Sequence, residues 1–198
     1  MGLDPDYSAG NTPLDDDEKS GLLIKTITTR GELDEFEQIG IDRAINWLYG
    51  KRFDYKSIVS EEFIKNLHKI MFRDIWEWAG EYRRSNKNIG SDKFLIPSEI
   101  RILIEDVIFW IENNTFTPDE TSVRFSHRLV KIHPFANGNG RHSRLMGDIL
   151  INKHFALPVF SWGSGALLRE GDLRKLYITS LRCADNLDYT PLIQFARL

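Results

Sequence analysis

Between residues 133 and 144 the chain reads HPFANGNGRHSR, and this short stretch holds most of the side chains that could do chemistry. Gly138 and Gly140 permit backbone conformations closed to other residues, so successive N–H groups can turn toward one point and form an anion-binding nest. A helix predicted to start here adds its unpaired N-terminal N–H groups and the positive end of its dipole. Arg141 and Arg144, three apart on that helix, share one side and can fork onto neighbouring phosphates. Together these groups suffice for a di- or triphosphate. His133 precedes the nest on a proline-stiffened turn, and histidine is the side chain whose ordinary pKa best suits a general base near neutrality. A base beside bound phosphate points to phosphoryl or nucleotidyl transfer. A bare G-x-G would read as a helix-to-helix turn, with His133 packed in the core and both arginines in surface ion pairs. Finding histidine, two glycines and two arginines at one helix entrance favours the cradle.

Such a cradle needs rigid elements around it, and the surrounding chain is mainly α. Residues 1–27 hold Pro5, Gly10, Pro13 and the run Asp15-Asp16-Asp17-Glu18, a composition that predicts an extended N-terminal arm. Residues 28–54 form an N-terminal helical unit: Thr29-x-x-Glu32 is a capping box, Leu33, Phe36, Ile41, Ala44, Ile45 and Leu48 follow at helical spacing, and Gly50 is a stop signal. Residues 55–198 make the main domain. There Phe63, Ile64, Leu67, Ile70 and Met71 mark a helix running toward Trp76. Ser98 is placed to cap a helix with Ile100, Leu103, Ile104, Val107, Ile108 and Ile111 on its face. Phe125, Leu129 and Ile132 mark another, which Pro134 must close. Leu145, Met146, Ile149 and Leu150 begin a stripe after the nest, and Leu173, Leu176, Tyr177, Ser180, Leu181 and Ala184 form a later one. One β element is expected, a short hairpin flap around Ile89, Gly90, Ser91, Asp92, Lys93 and Phe94, where a polar, glycine-containing middle lies between apolar ends.

Bulk properties narrow the function classes. A chain of 198 residues, 41% hydrophobic and 28% charged, can bury a real core. Its net charge of −3, with acids and bases interleaved, gives no cationic face for nucleic acid. Charge interrupts every apolar run short of a bilayer's span, which argues against a membrane partner, and the start lacks the pattern of a signal peptide. The single cysteine, Cys183, cannot form an internal disulfide. The expectation is a soluble cytoplasmic protein of bacterial style.

His133-Pro134-Phe135-x-x-Gly138-Asn139-Gly140-Arg141-x-x-Arg144 resembles the motif of Fic (Fido) domain proteins. Trp78-Ala79-Gly80-x-Tyr82-Arg83, residues 88–97 and Asp188-Tyr189-x-Pro191-Leu192 resemble other parts of that family, and the head of the chain resembles its mobile mystery protein B subfamily. The resemblance implies a helical Fic fold with a hairpin flap. It also implies a protein adenylyltransferase, in which His133 deprotonates a Ser, Thr or Tyr hydroxyl of a target protein for attack on the α-phosphate of ATP. Gly138, Asn139, Gly140 and Arg141 would form the anion hole, Arg144 would meet the γ-phosphate, Phe135 would anchor the loop, and residues 89–94 would dock the target by strand addition.

Two positions depart from the family pattern. Asn137 stands where transferase members usually carry Asp or Glu for Mg2+, and an amide oxygen brings no charge to a hard cation. Mg2+ binding is therefore expected to be weakened, and Asp148 lies too far along the helix to substitute. Many family members also carry a Ser/Thr-x-x-x-Glu-Gly/Asn helix whose glutamate pairs with the second motif arginine. The nearest N-terminal candidate here is Thr28-x-x-x-Glu32, with Glu32 the candidate inhibitory residue beside its capping role. The alternative reading is accordingly a nucleotide- or phosphate-binding regulatory protein with weak or different transferase activity, acting with a separate antitoxin-like partner. Target phosphorylation, as in the Doc branch, is disfavoured because both glycines are present. His127, His142 and Tyr177 read as packing residues or neighbours of the substrate, and the tryptophans as core or rim aromatics.

Overall fold

A computed structural model describes residues 16–166 and 169–198. Among them the order is α1 (Asp16–Ser20), α2 (Arg30–Leu48), α3 (Tyr55–Ile58), α4 (Glu61–Phe72), α5 (Ile96–Glu112), α6 (Pro118–Ile132), α7 (Asn139–Ile149) running into a π-helical turn (Leu150–His154), α8 (Glu170–Asp185) and α9 (Thr190–Arg197). No helix among the described residues is long and apolar enough to cross a membrane.

Short polar side chains start these helices where the sequence places them. Thr29 and Glu32 close the capping box on α2, Ser60 accepts from the Phe63 amide, and Thr117 accepts from the Glu120 amide ahead of Pro118. Helix α5 differs from expectation. It begins at Ile96 with no side-chain cap, Pro97 sits in its first turn, and the Ser98 hydroxyl donates back to the Leu95 carbonyl.

The central pair is α6 against α7, where Gly147 lets the backbones approach: a Cβ there would lie 3.3 Å from both the Ser122 carbonyl and the Ser126 Cβ. Around this pair α2, α4 and α5 complete one apolar core, including Leu33, Leu67, Leu103, Phe125 and Met146. A second cluster, with Val123, Ile151, Phe160, Tyr189 and Leu192, joins α6 to α9 and the π-helical turn. Helix α2 seats on α4 through Gly40, where a Cβ would come within 1.9 Å of the Met71 carbonyl. Its buried stripe is consequently Leu33, Glu37, Gly40, Ala44 and Leu48, whereas Phe36 and Ile45, expected on the inner face, are exposed.

Two further expectations are corrected. Residues 16–27 are not an extended arm: α1 is helical, Leu22 forms an antiparallel bridge with Trp76, and the Leu23 and Glu77 amides bond the Ile75 and Gly21 carbonyls at 2.9 Å. Burial of Leu22 and Ile27 makes this segment part of the core, while residues 1–15 of the expected arm lie outside the described residues. Residues 88–97 form bends and a turn leading into α5, with no strand pairing. Their backbone groups find other partners: Ser91 N–H bonds the Ile132 carbonyl, and the Asp92 side chain closes an Asx turn on the Phe94 amide.

Candidate active site

Proline sets the position of His133, the candidate base. Pro134 disfavours helical geometry in the residue before it, and His133 terminates α6 in the left-handed region at φ 56° and ψ 58°. The residue is only 7% exposed. Burial above all, then the Arg83 and Lys87 cations, pulls its imidazole down to about 4, against one Val130 backbone hydrogen bond that raises it. The ring is therefore neutral at physiological pH, the form a general base needs.

Phe135 anchors the next turn, fully buried and stacked on His68 with ring centroids 3.7 Å apart, while His142 meets its edge at 5.1 Å. His68, which no sequence pattern singled out, fixes the loop from α4. Its Nδ1 accepts the Gly80 N–H at 2.9 Å, which leaves Nε2–H to donate to the Asn137 carbonyl at 3.1 Å. Asn139 staples the turn by bonding both the N–H and the carbonyl of Phe135, at 2.9 and 2.8 Å. Its side chain is thus consumed within the loop, and only its backbone N–H is left for an anion. His142 is likewise internal, bonded to the Ile64 carbonyl and lowered to about 3 chiefly by burial.

The nest itself is asymmetric. Gly138 caps α7 at φ 78°, and a Cβ there would meet the Phe72 ring at 2.6 Å, so glycine is required twice over. Gly140 is helical instead, and a Cβ on it would meet nothing within 4 Å. Its contribution is open space at the mouth of the helix. Beyond it the two arginines diverge. Arg144 bonds the Gly140 carbonyl through Nε at 3.2 Å and lies over the Tyr177 ring, whereas Arg141 turns toward α2, where it pairs with Glu37 and lies 3.7 Å from Asp34.

Glu37 is a candidate site residue that no sequence pattern singled out. Its side chain is 0% exposed and accepts the Trp76 Nε1–H at 3.0 Å, the Asn137 Nδ2–H at 2.8 Å and an Arg141 guanidinium N–H. The signal was an acid inside an otherwise apolar helical stripe, visible once Gly40 is recognised as the contact point of α2. Glu32, the expected candidate, faces away: it is exposed and bonds the Thr28 and Thr29 amides, which hold its carboxyl below the usual range.

The segment expected as a flap crosses the base closely. A Cβ on Gly90, at φ 88°, would lie 2.5 Å from the His133 Cβ. Ser91 is tied to Glu99 through its hydroxyl, Asp92 accepts from Asn86, Lys93 reaches the Arg84 carbonyl, and Ile89 and Phe94 point their side chains to solvent. His127, on α6, bonds the Tyr189 hydroxyl and Asp185 within the second core rather than joining this site.

Residues 58–151 match the Fic/DOC family. Over 191 residues the chain is 25% identical to the protein adenylyltransferase Fic of Aedes aegypti, covering 94% of this chain and 37% of that protein. The chain therefore spans less than half the length of these curated relatives. Among solved structures, a variant of Fic-1 from C. elegans superposes with a TM-score of 0.67 at 22% identity, over 90% of this chain and 51% of that one. The BepC protein of Bartonella tribocorum with bound AMPPNP does so with a TM-score of 0.65 at 15% identity, over 91% and 95%. These structural likenesses establish a shared helical fold.

Proposed function

We propose, from the match of residues 58–151 to the Fic/DOC family, that the chain is a protein adenylyltransferase transferring AMP from ATP to a hydroxyl side chain of a target protein. The observation that carries this reading is a neutral, buried His133 beside the open N-terminus of α7, so that base and anion site share one entrance. In the transfer, the imidazole takes the proton of the target Ser, Thr or Tyr hydroxyl. That oxygen attacks the α-phosphorus, the bond to the bridging oxygen of pyrophosphate breaks, and the target leaves as its AMP ester. The N–H groups at the start of α7 receive developing charge on the phosphate oxygens, and Arg141 and Arg144 take the remaining phosphates.

The acidic Mg2+ ligand usual in the family is replaced here. Position 137 is an amide whose nitrogen donates to Glu37, and the carboxylate nearest it, Glu37 itself, is engaged by N–H donors. Among the described residues no group of three or more His, Cys, Asp or Glu gathers at one point. The Asn137 amide oxygen, which brings no charge, is what this loop would offer a phosphate-bound Mg2+, and no step of the transfer is routed through the ion.

Glu37 favours a second reading of the resting protein, as a nucleotide-binding Fic protein of low basal activity. With Arg141 held by the buried Glu37, a phosphate must displace that carboxylate before it gains the guanidinium. Incubation with α-labelled ATP and a cell lysate separates the two. Label transferred by the native chain and lost in His133→Ala supports the enzyme in its resting form; label only in Glu37→Gly supports a restrained enzyme; binding of AMPPNP with no label in either supports the regulatory protein.

A further inference from the structure

We propose that Arg83 is a positioning residue that locks the target-docking loop and the base onto one frame. Its guanidinium donates through Nε to the His133 carbonyl and through NH1 to the Ser85 carbonyl, both at 2.7 Å, and through NH2 to the Ser91 carbonyl, while its own N–H bonds the Pro134 carbonyl at 2.9 Å. The residue is 5% exposed, so these are charge-assisted bonds shielded from water. Only a planar fork can satisfy carbonyls from both ends of the 85–91 loop and from the catalytic turn at once; a lysine ammonium has the charge without the fork.

The surroundings show that this loop is a built part rather than a loose cover. Glu18 of α1 pairs with Lys87 in a buried contact and accepts the Ser85 hydroxyl at 3.1 Å. Ser91 N–H bonds the Ile132 carbonyl one residue before the base, and Gly90 packs where no side chain fits. The left-handed His133 backbone and residues 89–94 are thereby held at a fixed separation, and Arg83 is the side chain that bonds the carbonyls of both His133 and Ser91. The charged groups facing the imidazole, Arg83 and Lys87, both come from this same segment, opposite the Val130 backbone on α6.

This inference rests on the adenylyltransferase reading for its consequence and on measurements independent of it for its test. The full chain is compared with Arg83→Gln, Arg83→Lys and Gly90→Ala. Calorimetry with AMPPNP should give dissociation constants within about threefold of one another. Transfer of α-label from ATP to lysate proteins should fall about 100-fold in Arg83→Gln, the scale of an ångström of misplacement at a reacting centre. Arg83→Lys should recover part of that loss. Proton-detected titration of His133 should move up in Arg83→Gln and stay near the native position in Arg83→Lys, and the acid limb of transfer should follow it. Amide exchange at Ser91 should quicken in both variants, and Gly90→Ala should lose transfer while keeping AMPPNP binding. Unchanged transfer, or loss of AMPPNP binding in parallel with transfer, would overturn the proposal. If neither the native chain nor Glu37→Gly transfers label, the adenylyltransferase reading fails, and unaltered Ser91 exchange with unaltered His133 titration in Arg83→Gln would still refute the lock.

Discussion

Replacing Glu37 by glutamine should make the protein less stable and better at binding nucleotide. The carboxylate receives N–H bonds from Trp76, Asn137 and Arg141 with no exposure to water. Removing one partner of a fully buried ion pair costs about 3–5 kcal/mol. Glutamine keeps one carbonyl acceptor, however, and the Arg141 side chain is 24% exposed with Asp34 nearby, so it is not stranded. A loss of about 2 kcal/mol is the better figure, since a hydrogen bond to a charged group is worth about 1.5–3 kcal/mol. For a domain of this size that lowers the melting temperature by about 4–8 °C. If α2 and phosphate compete for the same guanidinium, what the closed form loses is returned to the liganded form. AMPPNP affinity then rises by up to about 30-fold, at 1.4 kcal/mol per factor of ten. Calorimetry and a thermal melt on the same preparation decide the matter, because the signs are opposite. A lower melting temperature with equal or weaker AMPPNP binding would show Glu37 to be a packing residue only. Asp34→Asn, an exposed contact at 3.7 Å, should change neither quantity measurably.

Three further outcomes follow from the geometry. Buried His133, His142 and His68 all resist protonation in the folded chain, chiefly through burial, with His133 at about 4 and His142 at about 3. The unfolded chain binds those protons near pH 6.5, so stability is complete above about pH 7 and falls as pH drops toward 4; a urea midpoint equal at pH 7 and pH 5 would contradict this. Asp148 works in the opposite sense, since burial raises its carboxyl to about 7 while it accepts from Trp162 and the Phe160 amide. Its contribution is fully present only below the unfolded carboxyl's 3.8 and is lost as pH rises through about 7, so Asp148→Asn should melt higher than the native chain at pH 8, by a smaller margin at pH 5. At the nest, Gly138→Ala should destabilise by about 2–4 kcal/mol, from the left-handed backbone and the Phe72 clash, and lose AMPPNP binding. Gly140→Ala should stabilise α7 by up to about 1 kcal/mol, yet weaken AMPPNP binding by placing a methyl group in the open mouth. A Gly140→Ala protein that binds AMPPNP as tightly as the native chain would remove Gly140 from the site.

Local chemistry was legible in the sequence wherever one residue type has one physical use. Thr29 with Glu32 starts α2 because its oxygen answers an orphan N–H group nearby, and Pro134 ends α6 for an equally local reason. Gly138 was legible in the same way. Partnerships across the fold were not. Arg83 and His133 are fifty residues apart, and Glu37 and Arg141 more than a hundred, so neither pair leaves a spacing pattern. The expected hairpin is absent from residues 88–95 because a polar, glycine-containing middle between apolar ends forms strands only where the backbone groups are left free to pair. Here the Asp92 side chain, Arg83 and the Ile132 carbonyl satisfy the backbone first.

In the proposed transfer the two long-range partnerships would act on different halves of the reaction. Arg83 holds the base to the surface on which a protein target would lie, through backbone carbonyls that carry no net charge. Glu37 holds Arg141, the arginine proposed to bind phosphate, through an ion pair that phosphate would have to outcompete. The first contact has no competitor and so should persist through the catalytic cycle. The second has one by construction and so should open when nucleotide binds. A variant carrying both Glu37→Gln and Arg83→Gln should therefore show the AMPPNP affinity of the first and the poor transfer of the second, within about 0.5 kcal/mol of additivity. Strong coupling between the two in AMPPNP affinity would mean instead that α2, the nest and the docking loop move as one body.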